Sequence, residues 1–392
     1  MKNTKLKPGP QKPLKKDPRS GVALLLVMVS VAFMAVIITE IIAASRIDLL
    51  IALNARNRLQ ASYLAASSAK LQILRLHMYK EVRNMKEANK NLPITDAMID
   101  KIWNVPLPPL PLNAATSKWP GGFQGTIQTE GSKIPINLLD GNKHRNSGEE
   151  QAKEVAAQLE GLINGMLETE EFDEKYRGLD PKDIINPLID WIDSNNTKVE
   201  GGDEDRDYES LDPPYKSRND RLASLSELHL VQGWTDDMYR RLVPNLSILN
   251  TSIEVNPNYV PLSRIKAWAP ELTPQELAYI DQHRRLTPFK DMTELVAFIQ
   301  SDPEIRGGDN IKVPESLLKA STTTETIFML ESTGIVGETR RSLRMGVEIV
   351  REKDTYKKNS DGSIKKDAKG KPEVDKKGKL SLPQVVFVEE FI

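Results

Sequence analysis

The chain has 392 residues, long enough on length alone for two or three domains, and its 54 Lys and Arg nearly balance 55 Asp and Glu. That balance gives no global cationic field for nucleic acid. The absence of cysteine excludes disulfides, zinc-thiolate sites and thiol nucleophiles, so an exported body must rely on packing or on hard-metal sites.

In chain order, the first element is a leader with Lys2, Lys5, Lys7, Lys12, Lys15, Lys16 and Arg19 against one acid, Asp17. It precedes an uncharged run from Val22 to Thr39. At 1.5 Å per residue that run is roughly 27 Å long as a helix, close to the hydrocarbon thickness of a bilayer. The positive-inside rule keeps residues 1–21 cytoplasmic and places everything after residue 40 on the far side of the membrane, as a single-pass protein. Ala43-Ala44-Ser45 has the small residues of a signal-peptidase site, but the apolar core is too long for a secretory signal.

From Glu40 to about Asn91 there is neither Pro nor Gly among abundant Ala, Leu, Arg, Lys and Gln, which predicts one long helix continuing to residue 92. Ile47, Leu50, Ile51, Leu59, Tyr63, Leu71, Leu74 and Met78 form its apolar stripe, expected to pack on a sheet and on partner helices. Leu92-Pro93 and Pro106 to Leu112 read as an extended connector. Gly122 to Asn137 alternates like short strands, opening an α/β region over residues 93–148.

Residues 149–305 read as an all-helical block broken by one acidic, proline-bearing loop from Asp193 to Arg221. Over residues 306–392, Thr326 to Leu330, Leu343 to Arg351 and Gln384 to Phe391 read as strands rich in Val, Ile and Phe. Between the last two, residues 352–379 are crowded with Lys, Asp and Gly and read as a solvated loop. Its Asn359-Ser-Asp361-Gly362 resembles a calcium loop without the closing glutamate. The expected fold class is α+β: a long N-terminal helix on a small antiparallel sheet, interrupted by a large all-helical insertion.

In the acidic loop, Asp193, Asn195, Asp203, Glu204, Asp205 and Asp207 crowd oxygen donors into a glycine-interrupted stretch. Like charges so close repel unless solvated or neutralised. A solvated acidic turn and a hard-cation site both fit these residue types. Asp190 and Asp193 share one helical face, which capping or metal ligation explains. Trp191, Tyr208, Tyr215 and Leu228 read as core around the loop.

Arg19-Ser20-Gly21 before the apolar run resembles the class III leader of type IV pilins and pseudopilins, in which prepilin peptidase cuts after a glycine and leaves the helix attached. The resemblance makes Gly21 the cleavage residue and Val22 the new, methylated N-terminus. Further along stand Asp190-Trp191-Ile192-Asp193, Gly202, Glu204-Asp205, Tyr208, Pro213-Pro214-Tyr215 and Asn219. Leu222-Ala-Ser-Leu-Ser-Glu227-Leu228 and Leu230-Val231-Gln-Gly233-Trp-Thr235 follow. With the long helix, small sheet and helical insertion, these resemble the general secretion pathway protein K family, the large minor pseudopilins of type II secretion systems.

That resemblance implies a non-enzymatic protein at the tip of a periplasmic pseudopilus, with minor pseudopilins of types I and J as partners and prepilin peptidase as processing enzyme. It implies calcium in the helical region, with Asp193, Asn195, Glu204, Asp205 and Asp207 as ligands. Major pseudopilins carry a glutamate at the fifth mature position. Here that position is Leu26, as in the K type, which fits a subunit with nothing stacked above it.

Two rival readings are weaker. Residues 262–298 resemble helix-hairpin-helix units of a DNA-uptake or type IV pilus-related protein, with Arg284-Arg285 or Arg340-Arg341 as phosphate contacts, but lack the hairpin glycines. Catalysis finds no support: His77, His144, His229 and His283 are scattered, and no nucleophile elbow or phosphate-binding glycine loop occurs.

Overall fold

The computed structural model describes residues 18–89, 91–112, 121–141, 148–167, 175–352, 355–357, 364–365, 374–376 and 378–391. The lysine-rich leader up to Asp17, Asn359 to Gly362 and His144 lie outside them. The chain divides into two units, Met1–Gln60 and Ala61–Ile392.

The described residues of the first unit are helical. Helix α1 spans Pro18–Ala88, and its apolar N-terminal stretch reaches a mean hydropathy of 2.9 with none of that window buried. By length and composition it can cross a membrane. Val22 and Leu26 are exposed on it, as are Ile47, Leu50, Ile51 and Leu59.

In the second unit the last turns of α1 lie on a five-stranded antiparallel sheet with strands β1 (Leu107–Leu112), β2 (Gly121–Thr129), β5 (Ile327–Val336), β6 (Thr339–Glu348) and β7 (Gln384–Phe391). They lie in the order β1-β2-β5-β6-β7. The side of α1 that meets the sheet is not the predicted stripe. Ala61, Leu64, Ala65, Ser68, Ala69, Gln72, Leu76, Tyr79 and Arg83 are buried, whereas Tyr63, Leu71, Leu74 and Met78 are exposed.

The reason is close approach. A Cβ on Gly334 of β5 would come within 1.9 Å of the Ala61 carbonyl oxygen, and one on Gly125 of β2 within 1.9 Å of the Gln72 amide nitrogen. Small residues on the helix meet glycines on the strands, so the contact is made by backbone proximity rather than by a hydrophobic stripe. Gln72 donates to the Glu331 carbonyl at 3.0 Å and the Ser332 hydroxyl at 2.8 Å, while Ser68 donates to the Gln124 carbonyl at 2.9 Å, which offsets the burial of polar groups under the helix. Higher up, Leu76, Tyr79, Ile127, Phe328, Leu330 and Val347 form an ordinary apolar core.

The expected extended connector contains two further elements. Helix α2 (Asp96–Asn104) is capped by Thr95, whose side chain accepts from the Met98 amide, and it buries Ile99 and Trp103 against the sheet core. The Arg75 guanidinium donates to the carbonyls of Ile102 at 2.7 Å and Trp103 at 3.1 Å, satisfying the C-terminal end of α2. The proline-rich run after it is the edge strand β1, where Pro can sit without breaking a ladder.

Between β2 and β5 the chain leaves the sheet at Glu130 and returns after Thr326. This segment is mostly helical but not all-helical: Ile134–Pro135 (β3) pairs in parallel with Leu246–Ser247 (β4). Two apolar clusters fill it. The first runs from Ile134 to Leu246 and includes α3 (Gly148–Leu167), α4 (Lys182–Ile192) and α6 (Asp236–Leu242). The second runs from Val255 to Leu317 through α7 (Leu262–Trp268), α8 (Pro274–Leu286), α9 (Met292–Ser301) and α10 (Glu315–Lys319). The acidic loop is itself interrupted by the short helix α5 (Asp205–Glu209).

Candidate functional site

The acidic loop begins where α4 ends. Burying Trp191 and Ile192 in the first apolar cluster holds the last turn of α4 against the body, and this brings Asp190 and Asp193, three residues apart, to one side of the helix end. The chain then turns back through a bridge between Thr197 and Asp203, with Gly201 and Gly202 at φ 88° and 112°. These left-handed glycines allow a turn tight enough to return Glu204 to the same place.

Carboxylate oxygens of Asp190, Asp193 and Glu204 converge to within 4.8 Å of one another, and all three residues are buried. Asp190 Oδ1 accepts from the Val199 amide at 2.8 Å and Asp193 Oδ1 from the Asn195 amide at 3.1 Å, while Glu204 Oε2 accepts from the Ser217 hydroxyl at 3.4 Å. Glu204 Oε1 is buried with no hydrogen-bond partner. Burial pushes the Asp190 carboxyl up to about 6 and Glu204 up to about 7, with the neighbouring carboxylates adding to the rise at Glu204. Asp193 is raised for the same first reason, burial.

Three buried acids whose oxygens converge in this way need either protons or a cation. An all-oxygen, all-anionic donor set suits a hard divalent ion over soft metals.

The other predicted ligands are turned elsewhere. Asp205 accepts from the Lys216 ammonium at 3.0 Å and from the amide and hydroxyl of Ser217 at 3.1 and 3.0 Å. The Lys216 bond and those from Ser217 hold its carboxyl below the usual range. Asp207 pairs with Lys198 at 2.6 Å. Asn195 uses its side-chain oxygen to accept the Thr197 amide at 2.7 Å, closing a local turn. Asp190, left out of the predicted ligand set, carries the i, i+3 spacing to Asp193 that could have placed it there.

Aromatic packing supports the loop from beneath. Trp191 meets Tyr208 edge-on at 5.3 Å, Tyr215 lies 5.3 Å from Tyr208, and Leu228 is fully buried in the same cluster. The Arg284-Arg285 pair of the DNA-binding reading has other uses. The half-buried Arg284 pairs with Asp281 and donates to the Val260 carbonyl, and Arg285 also pairs with Asp281.

Residues 133–251 match the family model of type II secretion system protein K, first domain. The chain is similar to the K proteins of type II secretion. Its likeness to protein K of Pectobacterium carotovorum subsp. carotovorum is 40% identity over 76 residues, 19% of this chain and 23% of that protein. With protein K of Klebsiella pneumoniae it shares 32% identity over 100 residues, 25% of this chain and 30% of the relative. The matches thus span under a third of these curated relatives' length. A solved structure, the GspK-GspI-GspJ complex of the enterotoxigenic Escherichia coli type 2 secretion system, contains a chain of similar fold. Its TM-score is 0.54 at 16% identity, covering 85% of this chain and 96% of that one. The family match coincides closely with the first apolar cluster, which runs from Ile134 to Leu246.

Proposed function

We propose that this chain is a minor pseudopilin of a type II secretion system, anchored in the inner membrane by the N-terminal part of α1 and acting in protein secretion at the tip of a periplasmic pseudopilus. The observation that carries this reading is a helix-on-sheet body whose β2 to β5 connection matches, over residues 133–251, the family model of the protein K first domain. The shared fold with a chain of the GspK-GspI-GspJ complex supports pseudopilins of types I and J as its partners.

In this reading prepilin peptidase cuts after Gly21, and Val22 becomes the methylated N-terminus. Leu26 places no buried acid in the fibre core, so the subunit needs no compensating amine from a subunit above it. The exposed apolar residues of α1, among them Tyr63, Leu74 and Met78, present a hydrophobic face on the side of the helix away from the sheet. Such a face is the expected contact for neighbouring pseudopilin helices. The segment between β2 and β5 makes the body bulky, which suits an end position.

Calcium is the proposed cation of the acidic loop. Asp190, Asp193 and Glu204 would hold it, and the buried, unpartnered Glu204 Oε1 is the atom that fits this use best. The cation would supply charge neutralisation that ties α4 to the returning loop, a structural rather than chemical contribution.

Two measurements test the proposal. A mass spectrum of the membrane-extracted protein is expected to begin at methylated Val22, and retention of residues 1–21 would refute processing. Cysteine pairs between Leu74 or Met78 and co-expressed type I and J pseudopilins are expected to crosslink. No crosslink from either position would refute assembly through this face.

A further inference from the structure

A second group of buried ionisable side chains lies where the helical segment joins the sheet. From α1, Arg83 reaches Asp96 and, at 3.2 Å, Asp100 of α2; it also donates to the Thr323 carbonyl at 2.9 Å. Tyr79 donates to the Glu325 carbonyl at 3.0 Å and accepts the Glu325 amide at 3.1 Å. Tyr259, from the start of the second cluster's segment and packed on the sheet core, donates to Asp100 Oδ2 at 3.0 Å. Asp96 is further paired with Lys86 at 2.9 Å, and Glu130, next to Thr129, is paired with Lys133 at 2.6 Å.

The Glu325 side chain stands apart from these pairings. It is 2% exposed and makes no ion pair among the described residues. Its Oε2 is hydrogen-bonded to the Thr129 hydroxyl of β2, and the Asn256 amide faces the same carboxyl. Glu325 Oε1 and Asn256 Nδ2 are both buried without a hydrogen-bond partner. The guanidinium whose charge reaches it is that of Arg83, and its ion pairs go to Asp96 and Asp100. One buried cation therefore serves two carboxylates before Glu325 is counted. An ionised carboxylate without an ion-pair partner in such a place costs several kcal/mol, which the Thr129 and Asn256 side chains and the Arg83 charge offset only in part, whereas a neutral acid costs little. The Thr129 hydroxyl donates to Glu325 Oε2 when the acid is ionised; when the acid is neutral that bond can reverse, with the Thr129 hydrogen turned to the Ile327 carbonyl 3.5 Å away.

Glu325 is placed to act on the seam. Val255 bridges Ser321 in parallel, with its amide donating to the Ala320 carbonyl at 3.0 Å and its carbonyl accepting the Thr322 amide at 3.1 Å. Asn256 is bound both ways to Ser132. The outgoing strand β2, the crossing segment 255–259 and the returning segment 320–325 thus meet around this one carboxyl.

We propose that Glu325 is a proton-gated latch. Protonated, it holds segments 255–259 and 320–325 against β2 and the α1–α2 pair; ionised as pH rises, it loosens that seam. Burial pushes the carboxyl up to about 7, so the gate operates near neutral pH. Asp100, raised by burial to about 6 and opposed by Arg83, contributes at lower pH. The sign follows from linkage: an acid raised in the folded state stabilises it below the unfolded pKa, and that contribution is lost as pH rises through about 7.

The test is hydrogen exchange on the full chain in detergent micelles between pH 5 and 8, with amide rates corrected for their intrinsic pH dependence. In the wild type, amides of 255–259 and 320–325 are expected to open on the order of tenfold more per pH unit between about pH 5 and 7, and to level off above 7, where the carboxyl is ionised in both states. In Glu325→Gln they should stay at the wild-type pH 5 level throughout. Thr129→Val, which keeps the volume but deletes the hydroxyl bonded to Glu325 Oε2, should open the seam already at pH 5. Equal pH dependence in wild type and Glu325→Gln overturns the proposal, as does Thr129→Val behaving like wild type if the glutamine variant does not fold.

Discussion

Stripping divalent cations from the acidic loop should destabilise the protein at pH 8 and hardly at all at pH 5. A ligand held at 100 times its dissociation constant stabilises the folded state by about 2.7 kcal/mol. For a body larger than 200 residues, where a kcal/mol shifts the midpoint by about 2 °C, chelation at pH 8 should lower the thermal midpoint by about 5 °C. At pH 5 protons compete for the same oxygens. Glu204, at about 7, lies two units above that pH and Asp190, at about 6, one unit above. At 1.36 kcal/mol per unit, displacing their protons costs about 4 kcal/mol, or on the order of a thousandfold in affinity. Calcium should therefore stop mattering as pH falls. The stripped protein behaves in the opposite sense: acids raised in the folded state stabilise it at low pH, and that contribution is lost as pH rises through 6 to 7. Differential scanning fluorimetry with and without chelator at pH 5, 6, 7 and 8 checks both limbs, and titration of Glu325 and Asp100 cancels between the paired samples. A chelator effect independent of pH, or one undiminished in Glu204→Gln, would refute the three-carboxylate site.

Other substitutions probe packing. Trp191→Ala should cost about 3–5 kcal/mol by urea denaturation, because the indole is nearly fully buried among Tyr208 and Tyr215 beneath the acidic loop. Gly334→Val should destabilise by about 1–3 kcal/mol or more, since even a Cβ at that position meets the Ala61 carbonyl oxygen. Leu74→Asp and Met78→Asp, by contrast, should leave the unfolding midpoint of the isolated protein within about 0.5 kcal/mol of wild type, because both side chains are exposed. The same two changes should abolish co-purification with partner pseudopilins.

How far the sequence led depended on which physical signal each element carried. Helix α1 was legible because hydropathy and helix formers agree along its length. Its contact face was not, because hydropathy points the wrong way there: the sheet takes Ala61, Ala65, Ser68 and Gln72, whose value lies in smallness and hydrogen bonding, while Leu74 and Met78 point outward. Helix α2, only nine residues long, was hidden by the prolines at 93 and 106 on either side of it, which make the whole stretch read as extended. In the acidic loop, residue type revealed a surplus of oxygen donors, but convergence depends on the fold. Asp190 and Asp193 meet through helical spacing, Glu204 through a glycine-mediated return, and Asp205 turns instead to Lys216.

The place of the helical segment follows from the sheet. β2 and β5 are antiparallel neighbours, paired from Gly122 with Ile335 to Thr129 with Phe328, so the ends to be joined lie side by side whatever the length between them. Loop-closure cost grows only with the logarithm of length, about 0.6 kcal/mol per doubling, so nearly two hundred residues can occupy the position of a hairpin turn if they bring their own core. They bring two, one from Ile134 to Leu246 and one from Val255 to Leu317. The first is the part that the protein K family model recognises, and it also holds the acidic loop. The sheet and helix can therefore keep their own dimensions while the inserted body varies in bulk. What couples the two is the seam where 255–259 and 320–325 cross, and there the chain places a buried acid rather than an apolar side chain. A carboxyl at that junction makes the attachment of the body dependent on protonation, which an apolar residue of the same volume would not.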